Sequence, residues 1–269
     1  MNKIILFKGY DAVGDYLSYN GMIRHLFNRY KMVYILAKQQ YHSLIKILFS
    51  DINVETIQFH EELYSINPNF DILDVRIWHY YARYPHNGIY YDNNNRYGNI
   101  PNQYFNDNAS AFYSFMNIST ELRLSNFYFK RLIEEENNLF TKLQLENKEY
   151  AVICEYDDIT INRNYIKSNN IVNIHNISNF FDIIKVIEKA KEVHLIENSV
   201  ALLVYHLQIS NLMEKVNVNL HTYARKDFPR IVNKEDYMKK LPDNGTTIGM
   251  FFLNMLLSPQ LNNWNIIWD

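Results

Sequence analysis

Short apolar runs alternate with amphipathic segments along the first part of this chain, and that alternation constrains its fold more than any other feature. "KIILFK" (residues 3–8) is a continuous apolar run of strand length. "DYLSYNGMIRHLFNRY" (15–30) then places Leu17, Met22, Leu26 and Phe27 at helical spacing. "MVYILA" and "QQYHSLIKILFS" repeat the pair, and "NVETIQF" and "FDILDVRIW" add two further strands. Parallel strands need long return connections, and strand–helix–strand units at this spacing supply them with right-handed crossovers. The alternation therefore predicts an open α/β fold with parallel sheets.

The pattern stops between Tyr80 and Asn108, where Pro85, Gly88, Gly98 and Pro101 stand among many aromatics with no clean period. This stretch reads as a long loop, of a length that is often functional, or as an Asn-rich insertion packed by its own tyrosines. "ASAFYSFMNISTELRLSNFYFKRLIEEENNLFTKLQ" (109–144) reads as mostly helical. Alternation then resumes, with "EYAVICEY", "NIVNI", "EVHLIEN" and "VNVNLH" as strands and "NFFDIIKVIEKA" and "SVALLVYHLQ" as helices. The expected organisation is two Rossmann-like α/β domains flanking a cleft. The first spans residues 1–145 with the loop at about 80–108, and the second spans 146–269. A last helix, Thr246 to Leu257, can return to the first domain.

A chain of 269 residues with 48% hydrophobic and 21% charged residues can bury a sizeable core. No run approaches a membrane span, and the apolar run after Met1 is too short for a secretory signal, so a cytoplasmic protein is expected. A net charge of −2 gives no general nucleic-acid surface. The single cysteine, Cys154 in "YAVICEY", cannot form an internal disulfide and reads as a small buried hydrophobe rather than a nucleophile. Asn, Ile, Tyr and Lys are all abundant, as AT-rich codons would make them, so one asparagine alone carries little functional weight.

In open α/β sheets ligands bind outside the carboxyl ends of the strands, and two strand-to-helix turns stand out there. In the first, Gly14 supplies a tight backbone, and Asp15 is either a helix cap or a general base toward a hydroxyl. The second is Glu197-Asn198-Ser199. Ser199 can cap the next helix, whose amides and dipole could equally hold a diphosphate, while Glu197 could accept bonds from both hydroxyls of a ribose. Arg123, Arg131 and Arg163 lie near predicted element ends and carry forked donors suited to phosphate. Asp157 and Asp158 could hold a metal or simply form a solvated loop. The nine histidines show no zinc spacing. Neither a dinucleotide fingerprint, a P-loop nor a nucleophile elbow is present, which disfavours nicotinamide, ATP-hydrolysing and serine-hydrolase chemistry.

"DAVGDYLSYNGMIRHLF" resembles the opening of glycosyltransferases with the GT-B fold, such as the family 9 heptosyltransferases, where a G-D pair follows the first strand. It is more closely similar to a set of bacterial and viral proteins related to them, whose N-G-hydrophobic-hydrophobic-R helix is matched by Asn20, Gly21 and Arg24. "FYSFMNISTELRLSNFYFKRLIEEENNLF" matches the same set through Arg123 and Arg131. "VICEYDDITINR" matches a strand ending in an acidic pair, Asp157 and Asp158, with Arg163 shortly after. "NFFDIIKVIEKAKEVHLIENSVALLVYHL" resembles the helix, strand and Ser-containing turn of the donor-nucleotide site. The likeness spans most of the chain outside the loop. One departure is clear: family 9 enzymes have an Asp-Ser/Thr-Gly turn followed by a His, where this chain has Asn198, Ser199, Val200 and then Leu202.

The resemblance implies an inverting, metal-independent glycosyltransferase with no cofactor. It would use a nucleotide-diphosphate sugar as donor and a glycan or other hydroxyl as acceptor. Asp15 would be the base, the first domain would present the acceptor, and Gly14 and Asn20 would be among the substrate- or nucleotide-binding residues. The diphosphate would lie near Ser199 and Arg163 and the ribose near Glu197, with Arg123, Arg131, Asp158 and Asn198 as further substrate- or nucleotide-binding residues. Arg131 or Arg163 would stabilise the leaving group. A viral or low-GC bacterial source fits the same resemblance, with a cytoplasmic location that is the host's if the source is viral. A non-catalytic nucleotide- or partner-binding protein on this scaffold, motivated by the altered turn, and a sugar-nucleotide epimerase are the rival readings.

Overall fold

A computed structural model describes residues 4–9, 12–58, 70–75, 113, 118–156, 159–177, 179–222 and 263–268. The chain divides into two compact units, Met1–Phe127 with Pro242–Asn254 and Tyr128–Leu241 with Met255–Asp269. Both are α/β with a parallel sheet, as the alternation predicts. The loop expected between Tyr80 and Asn108 and the helix expected from Thr246 to Leu257 lie outside the described residues. Among the described residues no helix is long and apolar enough to cross a membrane.

In the first unit, β1 (Ile4–Lys8), β2 (Met32–Leu36), β3 (Val54–Ile57) and β4 (Asp71–Asp74) form a sheet of order β3-β2-β1-β4, parallel throughout. The chain steps outward from β1 to β3 and then crosses back to lay β4 on the other side of β1. That reversal opens the carboxyl edge of the sheet between β1 and β4. Leu6, Tyr34, Ile57 and Phe70 pack together as one core cluster of the sheet.

The helix α1 (Val13–Phe27) connects β1 to β2, and α2 (His42–Leu48) connects β2 to β3. Leu17, Met22 and Leu26 are buried as the helical spacing predicts, but so are Tyr16, Tyr19, Asn20, Gly21 and Ile23. The reason is that α1 packs on β2, on α2 and also on α3 (Leu122–Ser125). The Tyr113 hydroxyl enters the α1 backbone ladder. It accepts from the Met22 amide at 2.8 Å and donates to the Ser18 carbonyl at 3.1 Å, between two groups that an undisturbed helix would pair directly. Burial raises the Tyr113 pKa, so the phenol stays protonated and can donate.

Gly21 is what allows this approach. A Cβ built there would lie 2.0 Å from the Leu122 carbonyl oxygen and 3.0 Å from the Tyr113 hydroxyl. Alanine would gain up to about 1 kcal/mol of helix propensity. It would also drive two backbones apart, at about 1–3 kcal/mol or more. Gly21→Ala is therefore expected to lower stability by about 2 kcal/mol net in urea denaturation, and a stabilised variant would contradict the packing described here.

The second unit does not begin where the sequence reading put it. The helix α4 (Ile133–Lys142), expected to close the first domain, packs against α5 (Ile184–Glu188) and lies in the second unit. Between α3 and α4 residues 127–132 form no helix. Phe127 and Phe129 are buried while Tyr128 is 41% exposed, a period of two that belongs to extended backbone.

Here β5 (Ala151–Cys154), β6 (Ile171–Asn173), β7 (Glu192–Ile196), β8 (Val218–His221) and β9 (Trp264–Ile267) form a parallel sheet of order β6-β5-β7-β8-β9. The reversal falls between β5 and β7. Every residue of β5 is buried. The helix α6 (Ser199–Ile209) is buried continuously from Val200 to Gln208, as an all-round apolar helix must be. The segment after β5 folds back so that Ile161 joins Ile153 and Ile196, with Tyr156, Ile159 and Ile166 around them.

Candidate functional site

Each strand-order reversal brings one of the two singled-out turns to the carboxyl edge of its sheet. In the first unit, β1 ends at Lys8, and Ala12, extended at φ −138° and ψ 155°, is the residue at which α1 begins. Asp15 is therefore not the helix cap. It stands at the third helical position, half-buried, with its amide bonded to the Ala12 carbonyl at 3.1 Å. The unsatisfied amides of a helix start favour negative charge there. Gly14 is in the same first turn, and its carbonyl accepts from the Ser18 hydroxyl at 2.9 Å.

Asn20 does not reach this edge. It is fully buried, and its Oδ1 accepts from Arg24 Nε at 3.1 Å. Arg24 in turn donates to both carboxylate oxygens of Asp51 at 2.8 Å and to the Leu48 carbonyl at 3.3 Å. The Asn20–Arg24 pair thus ties α1 to the end of α2. Arg123 is 9% exposed within α3, buried in the first unit.

In the second unit the β7–α6 turn is capped by Asn198, not by Ser199 as the sequence reading allowed. Asn198 is extended, and its Oδ1 accepts from the amides of Val200 and Ala201, both at 3.0 Å. Its Nδ2 donates to Cys154 Sγ at 3.2 Å, linking the ends of β7 and β5 across the reversal. Both ends of the carboxamide are thus engaged in holding the turn. Ser199 is the first helical residue, and Glu197 the residue that follows β7; both are half-buried. Burial pushes the Cys154 thiol up to about 11, so it stays protonated near neutrality and fits the apolar role read for it.

Sequence reasoning passed over Glu155, the residue immediately after β5. It is 7% exposed and accepts from the Ile161 amide at 2.8 Å and from Arg163 Nη1 at 3.1 Å, with Arg163 Nη2 on its other oxygen. The Arg163 fork is therefore committed to a carboxylate, and its charge is balanced before any ligand arrives. The pair ties the segment after β5 back to the end of that strand. The signal was in the sequence: a lone acid directly after an apolar strand, eight positions before an arginine.

Arg131 is held more extensively. Its fork donates to both oxygens of Glu136 and both of Glu188, and to the Leu212 carbonyl at 3.1 Å. Burial opposes its charge, but bonds to the two glutamates and their charges more than restore it, holding its pKa above the usual arginine range. This is a joint among α4, α5 and the Leu212 segment. Asp157 and Asp158 lie outside the described residues. Among the described residues no group of three or more His, Cys, Asp or Glu is placed to hold a metal ion.

A second polar cluster sits inside this unit's sheet. His194 Nδ1 and His221 Nε2 are 2.9 Å apart, and His194 Nε2 lies 3.4 Å from Glu192 Oε2. Burial, and then the neighbouring His194, push His221 down to about 3. The unfolded chain takes up that proton near pH 6.5, so this group's contribution to stability is intact above pH 6.5 and is lost as pH falls toward 3. Between pH 7 and pH 5 it should cost about 2 kcal/mol, and His221→Gln should flatten that part of the profile. An equally steep loss in the variant would remove His221 as the cause.

No protein-family model matches the chain, and no curated protein matches it. Among solved structures it is similar to the E. coli ADP-heptose lipopolysaccharide heptosyltransferase II, at 12% identity and a TM-score of 0.48, over 95% of this chain and 97% of that one.

Proposed function

We propose that this protein is a glycosyltransferase that moves a sugar from a nucleotide-diphosphate sugar to a hydroxyl acceptor, with inversion and without a metal. The reading is carried by one observation. Two parallel sheets in one chain each reverse strand order beside a turn bearing matched chemistry, Gly14-Asp15 in one and Glu197-Ser199 in the other. The residue likeness of both turns to the GT-B enzymes supports it. In this account the start of α6 holds the donor diphosphate, with the Ser199 hydroxyl and the helix dipole stabilising charge as the leaving group departs. Glu197 binds the ribose. Asp15 takes the proton of the acceptor hydroxyl as that oxygen attacks the anomeric carbon and the bond to the diphosphate breaks.

The altered turn favours one rival. Leu202, where family 9 enzymes have a His, is 4% exposed and packed in the core, so no imidazole serves the donor at that position. A nucleotide-binding protein without turnover would show the same feature. The first test is a thermal-shift screen with UDP-, GDP-, ADP- and CMP-sugars. Stabilisation by at least one nucleotide sugar is expected, at about 3 kcal/mol when ligand is a hundredfold above its Kd. No shift with any of them would reject the donor site and with it both the transferase and the nucleotide-binding readings.

A further inference from the structure

One cleft among the described residues is not at the carboxyl edge of either sheet. It lies at the amino ends of β5, β7 and β8 in the second unit, between the strand starts at Glu149 and Lys191 and the segment Tyr165–Asn170. Its volume of about 590 Å³ is that of a small-ligand site. Neither Asp15 nor the β7–α6 turn contributes to it.

Its lining is chemically selective. Asparagine supplies 36 of the chain's 269 residues, but five of the eleven that line this cleft, so the general abundance of asparagine does not account for it. Several of these carboxamides are held in place. Asn265 Nδ2 donates to Asn219 Oδ1 at 3.3 Å, Asn219 Nδ2 donates to the Val193 carbonyl at 3.4 Å, and Asn170 Nδ2 donates to the Glu149 carbonyl at 3.0 Å. A fixed carboxamide offers a donor and an acceptor side by side, the complement of a pair of neighbouring hydroxyls.

The charges cancel. Lys191 pairs with Glu149 at 2.6 Å, Glu192 accepts from the Lys167 backbone amide at 3.0 Å, and Lys167 supplies the second positive charge of the lining. The formal sum over the lining is zero, which gives an anion no net attraction. Tyr165, 42% exposed, adds an aromatic ring to the wall, in a T-shaped contact with His221 at 5.6 Å between ring centroids. Such a ring suits the apolar face of a pyranose, because the ring is amphipathic in the same way as the sugar.

We propose that this cleft is a second binding site, separate from the transfer site, for a neutral oligosaccharide. Asn219 and Asn265 would hold its hydroxyls, and Tyr165 would stack on one sugar face. The inference does not rest on the transferase reading, since the cleft would bind sugar on a protein with no turnover at all.

The test is NMR titration of the full chain, following asparagine side-chain amides, with neutral trisaccharides of glucose, galactose, mannose and N-acetylglucosamine. Saturable shifts with at least one of these are expected, weakened about tenfold or more in both Tyr165→Ala and Asn265→Ala. Binding of nucleotide sugars should be unchanged in the same variants. Should Tyr165→Ala lose stability through its contact with His221, Asn265→Ala decides alone, because Asn265 is exposed. The proposal is overturned if no trisaccharide gives a saturable shift, or if the shifts survive Asn265→Ala. It is equally overturned if inorganic phosphate displaces the sugar from these amides, since the cleft would then be an anion site.

Discussion

Arg131→Met will destabilise the protein by about 3–5 kcal/mol, the largest effect on folding expected from any single change described above. The guanidinium lies between Glu136, 1% exposed, and Glu188, 9% exposed, and it donates to both. Methionine keeps most of the volume and removes the charge. Two carboxylates are then left out of water with no cation between them, a cost well above the net worth of the original pair. Changing Glu136 and Glu188 to glutamine in the Arg131→Met background should recover part of the loss, because the stranded charges go with it. Chemical denaturation measures both. An unchanged midpoint in Arg131→Met, together with weakened nucleotide binding, would return this arginine to the ligand site from which the geometry removes it.

Asp15→Asn will leave the fold and donor affinity intact and reduce sugar transfer by about 100-fold or more. Asparagine has nearly the same shape, so packing at the third position of α1 survives, and the lost charge at the helix start costs only about 0.3–1 kcal/mol. The amide cannot take a proton from the acceptor, so the loss should appear in kcat, not in donor binding. Donor affinity is expected to hold because Glu197 and Ser199 belong to the other unit. Equal turnover in Asp15→Asn and the wild type would remove Asp15 from the mechanism.

The fold was largely legible because its signal is local. An apolar run followed by an amphipathic helix is written in adjacent residues, and β1, α1, β2, α6 and β7 fall within a few positions of where periodicity puts them. The break after α3 was equally local but overridden. "FYFK" alternates buried and exposed residues, and a helical reading of its surroundings masked that period of two. β9 was missed because "WNII" is four residues long and pairs with a strand more than forty positions earlier.

The candidate site was legible only in part, and the errors share a cause. Arg131 looks like a free cation in sequence because Glu188 is fifty-seven positions away and joins it only when α5 packs on α4. Arg163 looks free because its partner Glu155 is eight positions away and meets it only when the segment after β5 folds back. Asn198 and Ser199 are both competent caps, and only backbone geometry decides which carboxamide or hydroxyl turns inward. Gly21 is the opposite case. Its residue type was noted for a family likeness, and the structure supplies the physical reason, a carbonyl 2.0 Å from where a Cβ would stand.

The central claim is sugar transfer, and acceptor-dependent release of nucleoside diphosphate tests it most directly. The protein should be incubated with whichever nucleotide sugar stabilises it, with and without a panel of glycan acceptors. The account predicts release that rises with one acceptor, a product of inverted anomeric configuration, and loss of both in Asp15→Asn. Binding without release would leave a nucleotide-binding protein, and interconversion of the sugar with no acceptor present would make it an epimerase; either result contradicts the account.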